Sequence, residues 1–315
     1  MTLVLKENKP KRKIRRNEIE LIIYASLGVL FLLVFAYTPM FGLVLAFKDG
    51  DYKINIFKTI MRGNWCGIDN FIFVFNDYSF FDVFINTLSL NSIMLLINFP
   101  APILFALFLN EIKNKTFRTV VQSVAIFPTF ISWMIFGGIF ISLADVNTGV
   151  INPVLEFFHL SSPDEPVNLL GPDYIWFVII ITSLIKGTGW GSIIYTAAIA
   201  GINQELYEAA AIDGANRWQT MFRITLPAIA PTVLVFFLLS IGGLLGNNFE
   251  QFYVFRNIIN ESRSEVLATY AYRYGVTDQR YSFATALGLI QSFISLALLL
   301  GSNFISRKIT GRGLY

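Results

Sequence analysis

Apolar residues run through this chain in long unbroken stretches. They do not follow the short rhythm of a strand or helix that turns one face to water. Six stretches can be marked, at 21–41, 88–109, 119–143, 174–200, 228–246 and 283–305. Each is about 19 residues or longer, close to the ~20 a helix needs to cross the ~30 Å hydrocarbon core of a bilayer. None contains Asp or Glu, and Lys186 is their single basic residue. The runs are continuous, not alternating, so helices are indicated over a barrel. The pattern predicts an all-α membrane protein with six transmembrane helices.

Composition agrees. Of 315 residues 55% are hydrophobic, 31 are Phe and 14% are charged, whereas a soluble domain carries about 25% charge. Length alone would allow two soluble domains, but there is too little charge to wet them.

Charge between the stretches sets orientation. Lys6, Lys9, Lys11, Arg12, Lys13, Arg15 and Arg16 precede the first stretch. Lys113, Lys115 and Arg118 follow the second, and Arg307, Lys308 and Arg312 close the chain. Residues 144–173 hold no Lys or Arg but five acids: Asp145, Glu156, Asp164, Glu165 and Asp173. The positive-inside bias predicts a multi-pass protein with both termini in the cytoplasm, which requires an even number of spans. The first stretch is longer than a signal-peptide core and lacks a clear small-residue cleavage site, so an uncleaved first span is expected. The expected organisation is a basic cytoplasmic tail at 1–20, a membrane domain at 21–307 with a cytoplasmic loop at 201–227, and a tail at 308–315.

Pro100 and Pro102 in the second stretch and Pro128 in the third remove helical donors, so kinks are expected there. The proline-rich segment 144–173 is expected to be irregular or to carry one short helix. Cys66 has no intrachain partner, and His159 has no neighbours of ligand type at suitable spacing, so no metal site is expected.

Loop 201–227 departs from the membrane pattern. Asn203 suits a helix N-cap, with Glu205 in the first turn where the dipole favours negative charge. The helix should pass through Glu208, Ala209, Ala210 and Ala211 and stop near Asp213 and Gly214, because glycine readily adopts the left-handed conformation. A second helix is expected from about Asn216 to Leu226, with Pro227 marking the return to the next span. Leu206, Ala209 and Ala210 share one face, with Tyr207 and Ala211 alongside. Their small side chains would let another surface come close.

The residues Glu208-Ala209-Ala210, then Gly214, Ile224 and Leu226-Pro227, resemble the EAA loop of permease subunits of binding-protein-dependent ABC importers at every position of that pattern. The longer run from Tyr207 to Ala215 is similar to the carbohydrate branch, which includes the maltose and glycerol-phosphate permeases. Residues 189–195, 248–251, 269–275 and 281–286 look like the polysaccharide permease LplB group within it. The resemblance implies a type I importer permease fold, multi-pass in a bacterial cell membrane. It implies a coupling helix that docks into a nucleotide-binding subunit, with Tyr207, Glu208, Ala209, Ala210, Asp213, Gly214, Leu226 and Pro227 at or near that contact. It also implies partners: a second permease subunit, distinct but related; two ATP-binding subunits; and an extracellular substrate-binding protein. Membrane lipid surrounds the chain, and no nucleic-acid partner is expected.

No Gly-Lys-Ser/Thr phosphate loop occurs, so the chain is not expected to be an enzyme or to bind a cofactor; ATP and Mg would sit on the partner ATPase. An ion-driven carrier would keep carboxylates within its spans, and the six stretches offer none. Sugars are held by hydroxyl hydrogen bonds and aromatic stacking. Candidate contacts are Lys186, Trp190 and Tyr195, then Asn247, Asn248 and Glu250, and Gln291, with Gly187, Gly189 and Gly191 allowing close approach. Lys186 and Trp190 are four apart and share a helical face. Pairing within the bundle remains open for Lys186, and gripping the binding protein for Glu250. A permease for another solute, or a membrane scaffold, remains the alternative to a sugar permease. The acidic external loops disfavour a highly anionic substrate.

Overall fold

The computed structural model describes residues 16–49, 56–246, 248–311 and 313. Among them there is no strand, only isolated bridges between Lys48 and Trp65 and between Ser162 and Glu165. The helices are α1 (Glu20–Phe47), α2 (Ile56–Arg62), α3 (Asp69–Asn76), α4 (Phe80–Glu111), α5 (Lys115–Phe130), α6 (Trp133–Ala144), α7 (Ile151–Phe157), α8 (Ile175–Ala200), α9 (Gln204–Ile212), α10 (Arg217–Gly242), α11 (Phe249–Phe255), α12 (Glu261–Ser264), α13 (Leu267–Tyr272) and α14 (Tyr281–Thr310). Five of them (α1, α4, α8, α10 and α14) are each long and apolar enough to span a membrane. Together α5 and α6 make a sixth span, bent by 98°. Most of the basic tail 1–20 lies outside the described residues.

Burial sorts these spans. In the most apolar windows of α4 and α8, 28% of residues are buried, against 11% in α1. Two central helices therefore carry a bundle whose outer members turn Phe31, Phe35, Phe41 and their neighbours outward. Three apolar clusters lie along α4, and α8 joins the second and third. One joins Phe80 and Val83 to Tyr270, Tyr274 and Phe283; a second joins Leu90 and Met94 to Ile175, Ile179, Phe252 and Phe255; a third joins Ile103, Ala106 and Leu107 to Tyr195, Ile199, Met221 and Ile229. The third cluster fixes the α9–α10 loop to the bundle.

The structure departs from the sequence expectations in three places. Helix α4 starts at Phe80 and not at 88, although its hydrogen-bond ladder is interrupted at Phe99, beside the two prolines. The third stretch is broken, not merely kinked. After Pro128 the chain makes a 3₁₀ turn over Phe127–Phe130, extends through Ile131, and restarts at Ser132, whose Oγ accepts from the Ile135 amide. The expected stop at Pro227 does not occur, because α10 runs unbroken from Arg217 through Pro227 and Pro231. A π-helical turn over Met221–Thr225 precedes Pro227, with the Leu226 amide donating to the Met221 carbonyl. That widened turn gives the proline ring room.

Candidate functional site

Helix α9 is built from local signals. Asn203 Oδ1 accepts from the Glu205 amide at 3.1 Å, capping the first turn. At the other end Gly214 takes φ +75°. The Ala215 amide donates to the Ala210 carbonyl at 2.9 Å, and the Gly214 amide to Ala211 at 3.2 Å. This pairing uses the carbonyls a helix end leaves open, and a positive φ suits glycine because it has no Cβ. Asn216 then opens α10 with a reciprocal cap: its Oδ1 accepts from the Gln219 amide at 2.9 Å, and Gln219 Oε1 accepts from the Asn216 amide at 2.8 Å.

One side of α9 is anchored. The Tyr207 hydroxyl bonds the Thr225 hydroxyl at 3.0 Å inside the π turn, and Ala210, one turn on, is buried. Residues three apart face the same way, so Ala210 belongs to the anchored side and not to the free one. The free side presents Leu206, Glu208, Ala209, Ala211, Ile212 and Asp213, with Ile212 87% exposed. Leu226 is half-buried and Pro227 exposed at the base of the loop. An apolar tip beside the exposed Glu208 carboxylate, on a helix closed at both ends, can enter a groove without refolding.

Further along the bundle, α4, α8, α10 and the segment after α10 line an open cavity of about 270 Å³. Its polar lining comprises Asn91, Asn98, Ser183, Tyr195, Ser240 and Asn248, with Met94, Phe99, Pro102 and Phe236 as apolar wall. Tyr195 packs edge-on against Phe236. Asn98 Oδ1 is buried with no hydrogen-bond partner among the described residues. An unmade bond to a buried amide is costly, so a donor reaching this oxygen would be favoured. Of the expected substrate contacts, Tyr195 and Asn248 meet here. Asn91, Asn98, Ser183 and Ser240 were overlooked, although Asn91 and Asn98, two turns apart, put amides on one face of a helix apolar through most of its span. Such residues are expensive in lipid and face the interior.

The remaining candidates lie elsewhere. Lys186 is buried, and its Nζ donates to the carbonyls of Pro128 at 3.0 Å, Thr129 at 3.2 Å and Ile131. Those three bonds use all its donors. Trp190 is exposed whereas Lys186 is buried, despite the four-residue spacing. Gln291 Nε2 donates to the Leu245 carbonyl at 2.6 Å, and Glu250 is exposed in the first turn of α11. Asn247 lies outside the described residues. Two of the α8 glycines admit helices: a Cβ on Gly189 would strike the Ala125 backbone, and one on Gly191 would meet Pro102, whereas Gly187 has nothing within 4 Å.

On the opposite side of the bundle from α9, Arg273 grips buried Glu265 with two bonds of 2.9 and 3.1 Å, and Arg256 reaches Glu261 at 2.7 Å. Tyr274 donates to Asp77 at 2.8 Å, and the Ser79 amide at 3.0 Å. Burial pushes the Asp77 carboxyl up, but Tyr270, the Ser79 amide, Tyr274 and the Arg273 charge outweigh it and hold it below its ordinary value. The Tyr270 hydroxyl lies close without forming a well-shaped hydrogen bond.

Residues 98–311 match the family described as binding-protein-dependent transport system inner membrane component. Protein LplB of Bacillus subtilis (strain 168) is 40% identical over 91% of this chain and 88% of its own length. The polygalacturonan/rhamnogalacturonan transport system permease protein YteP of the same organism is 35% identical over 99% of this chain and 96% of its own. Among solved structures, a chain of a bacterial ABC transporter involved in import of the acidic polysaccharide alginate is 35% identical. It superimposes with TM-score 0.82 over 93% of this chain and 97% of that one. A second structure of a bacterial alginate transporter, in complex with an alginate pentasaccharide-bound periplasmic protein, gives TM-score 0.83.

Proposed function

This chain belongs to the family of inner membrane components of binding-protein-dependent transport systems, and from that premise we propose that it forms half of the channel of an ATP-driven oligosaccharide importer. ATP and Mg are bound by separate subunits, because the sequence has no phosphate loop. Closure of those subunits pushes on α9, and the bundle switches between inward- and outward-open states. A switch of this kind requires ATP to favour one state over the other. Both termini lie in the cytoplasm on the charge argument, so α9 faces the motor and the Arg273–Glu265 side faces outward, toward an external binding protein. A second, related permease completes the pair, since one chain offers one docking helix to two ATPases.

The observation that carries this reading is the exposed, doubly capped α9 with Glu208 and Ile212 on its free side. The cavity between α4, α8 and α10 is the proposed sugar passage: amides and hydroxyls bond hydroxyl groups, and Tyr195 and Phe236 offer aromatic surface. The cargo favoured here is an acidic oligosaccharide, against the expectation drawn from the external loops. Two relatives are named for alginate and for polygalacturonan, and no described residue lining the cavity carries a carboxylate that would repel one. The test is reconstitution of the full transporter in vesicles, with uptake and ATP hydrolysis measured over a panel of neutral and uronate oligosaccharides. Uronate-stimulated, ATP-dependent uptake is expected. Uptake of neutral glycans alone would overturn the acidic cargo, and uptake independent of ATP would overturn the importer.

A further inference from the structure

A transmembrane helix broken by 98° leaves carbonyls without amides in a region where water cannot satisfy them, and each unmet group is costly. At the α5–α6 elbow these are the carbonyls of Thr129 and Ile131, while that of Pro128 has only the Ile131 amide at 3.3 Å. One side chain answers all three, the Lys186 ammonium from α8. Its charge lies 5.2 Å from the Trp133 ring and 5.8 Å from Phe136, both on α6. The bonding is reciprocal, since the Thr129 hydroxyl donates to the Lys186 carbonyl at 2.7 Å. Nearby, Gly189 lets the α5 backbone settle directly on α8. The elbow is therefore seated on α8 by polar bonds, aromatic contacts and backbone packing.

Helix α8 continues without a break from Lys186 to Ala200, about 21 Å at 1.5 Å per residue, and three residues later α9 begins. Beyond the elbow, α6 packs on α11: Phe140 lies edge-on to Phe255, and Gly137 makes room for Val254. Helix α11 starts beside Asn248, which lines the cavity. A continuous series of packed elements thus runs from the α9 end to the cavity, and Lys186 is its one charged joint.

We propose that Lys186 is a positioning residue for transport: it fastens the elbow to α8, so that displacement of α9 carries α6 and the cavity wall with it. This rests on the importer reading above. It assigns Lys186 a role in coupling and not in holding cargo.

The test uses the complete transporter in vesicles, with Lys186→Met, Thr129→Val and the double variant. Lys186→Met should assemble, keep basal ATP hydrolysis, and transport about tenfold less sugar per ATP, with KM for sugar unchanged. Thr129→Val should lower that ratio less, and the double variant should be no worse than Lys186→Met alone. If Lys186→Met does not assemble, Thr129→Val and a distance measurement decide. Spin labels at Ala200 and Ile139, in a Cys66→Ser background, should keep one separation with and without trapped ATP. A separation that changes between those states would overturn the proposal, as would an unaltered transport-to-ATP ratio in the variants. A raised KM with the ratio intact would also overturn it and make Lys186 a cargo contact. Failure of the importer reading is distinguishable, because the unsubstituted transporter itself would then show no ATP-driven uptake.

Discussion

The chain turns sharply at Gly214 and again at residues 131–132, and it secures the two turns by different means. The Gly214 turn is exposed; the bonds at the turn itself span five residues or fewer, and the one that pins its two arms, Tyr207 to Thr225, spans 18. The elbow is held by Lys186, 55 to 58 residues away. A turn closed by its own neighbours keeps its shape wherever it is carried, which suits a part pressed into a second protein. A turn closed from a distance keeps its shape only while its support stays put, and so ties two helices together. The contrast separates a docking part from a transmitting part within one bundle.

The sharpest way to break that contrast is at the docking part. Glu208 is exposed, so Glu208→Lys disturbs no packed contact within the chain. Against a surface matched to a carboxylate, a reversed charge costs several kcal/mol, and uptake by the reconstituted transporter should fall on the order of 100-fold. The thermal unfolding of the chain should be unchanged. Full uptake by this variant would remove α9 from the coupling path. Next in size is Gly214→Val. Nothing lies within 4 Å of a Cβ there, so any loss comes from the backbone at φ +75°. A left-handed residue costs about 1–2 kcal/mol, which should lower ATP-dependent uptake about tenfold. Gly214→Asn should stay near the parent, because asparagine tolerates that conformation.

How far these regions could be read in advance follows from the same contrast. The cap at Asn203, the helix start near Asn216, the stop at Gly214 and the spans of α1, α8 and α14 are written in residues a few positions apart. Local chemistry fixes them, and they were legible. Pro128 announced a disturbance in the third stretch, but not its size, because the bend depends on whether another helix satisfies the freed carbonyls. Lys186 was legible as unusual and not as a strut, since its partners lie on a different helix. The cavity was half legible. Tyr195 and Asn248 were named, whereas Asn91 and Asn98 passed as incidental polar residues in an apolar run. Pro227 misled, because the π turn that accommodates it has no clear residue signature.

Two smaller effects sharpen the comparison. Asn98→Ala removes an amide that lines the cavity and leaves both turns intact. The KM for sugar uptake should rise about three- to tenfold, as expected for one lost hydrogen bond, with maximal rate and the sugar-to-ATP ratio retained. Changes at α9 should show the opposite pattern. The smallest effect concerns Asp77, whose carboxyl is held below its ordinary value in the folded chain. A depressed carboxyl contributes stability that is present above its unfolded value and lost as pH falls through the folded one. Melting temperatures of the parent and Asp77→Asn should therefore differ at pH 6, and the gap should close as pH drops below about 4. A gap independent of pH would show that the carboxylate charge is not what Tyr274 and Arg273 stabilise.

The most direct test of the account is whether the free face of α9 touches the motor. Cysteines placed at Ala209 and Ile212, with Cys66→Ser, should form crosslinks to an ATP-binding subunit in the assembled transporter, and their yield should change when ATP is bound. Crosslinks that reach only lipid or the second permease, whatever the nucleotide, would contradict it.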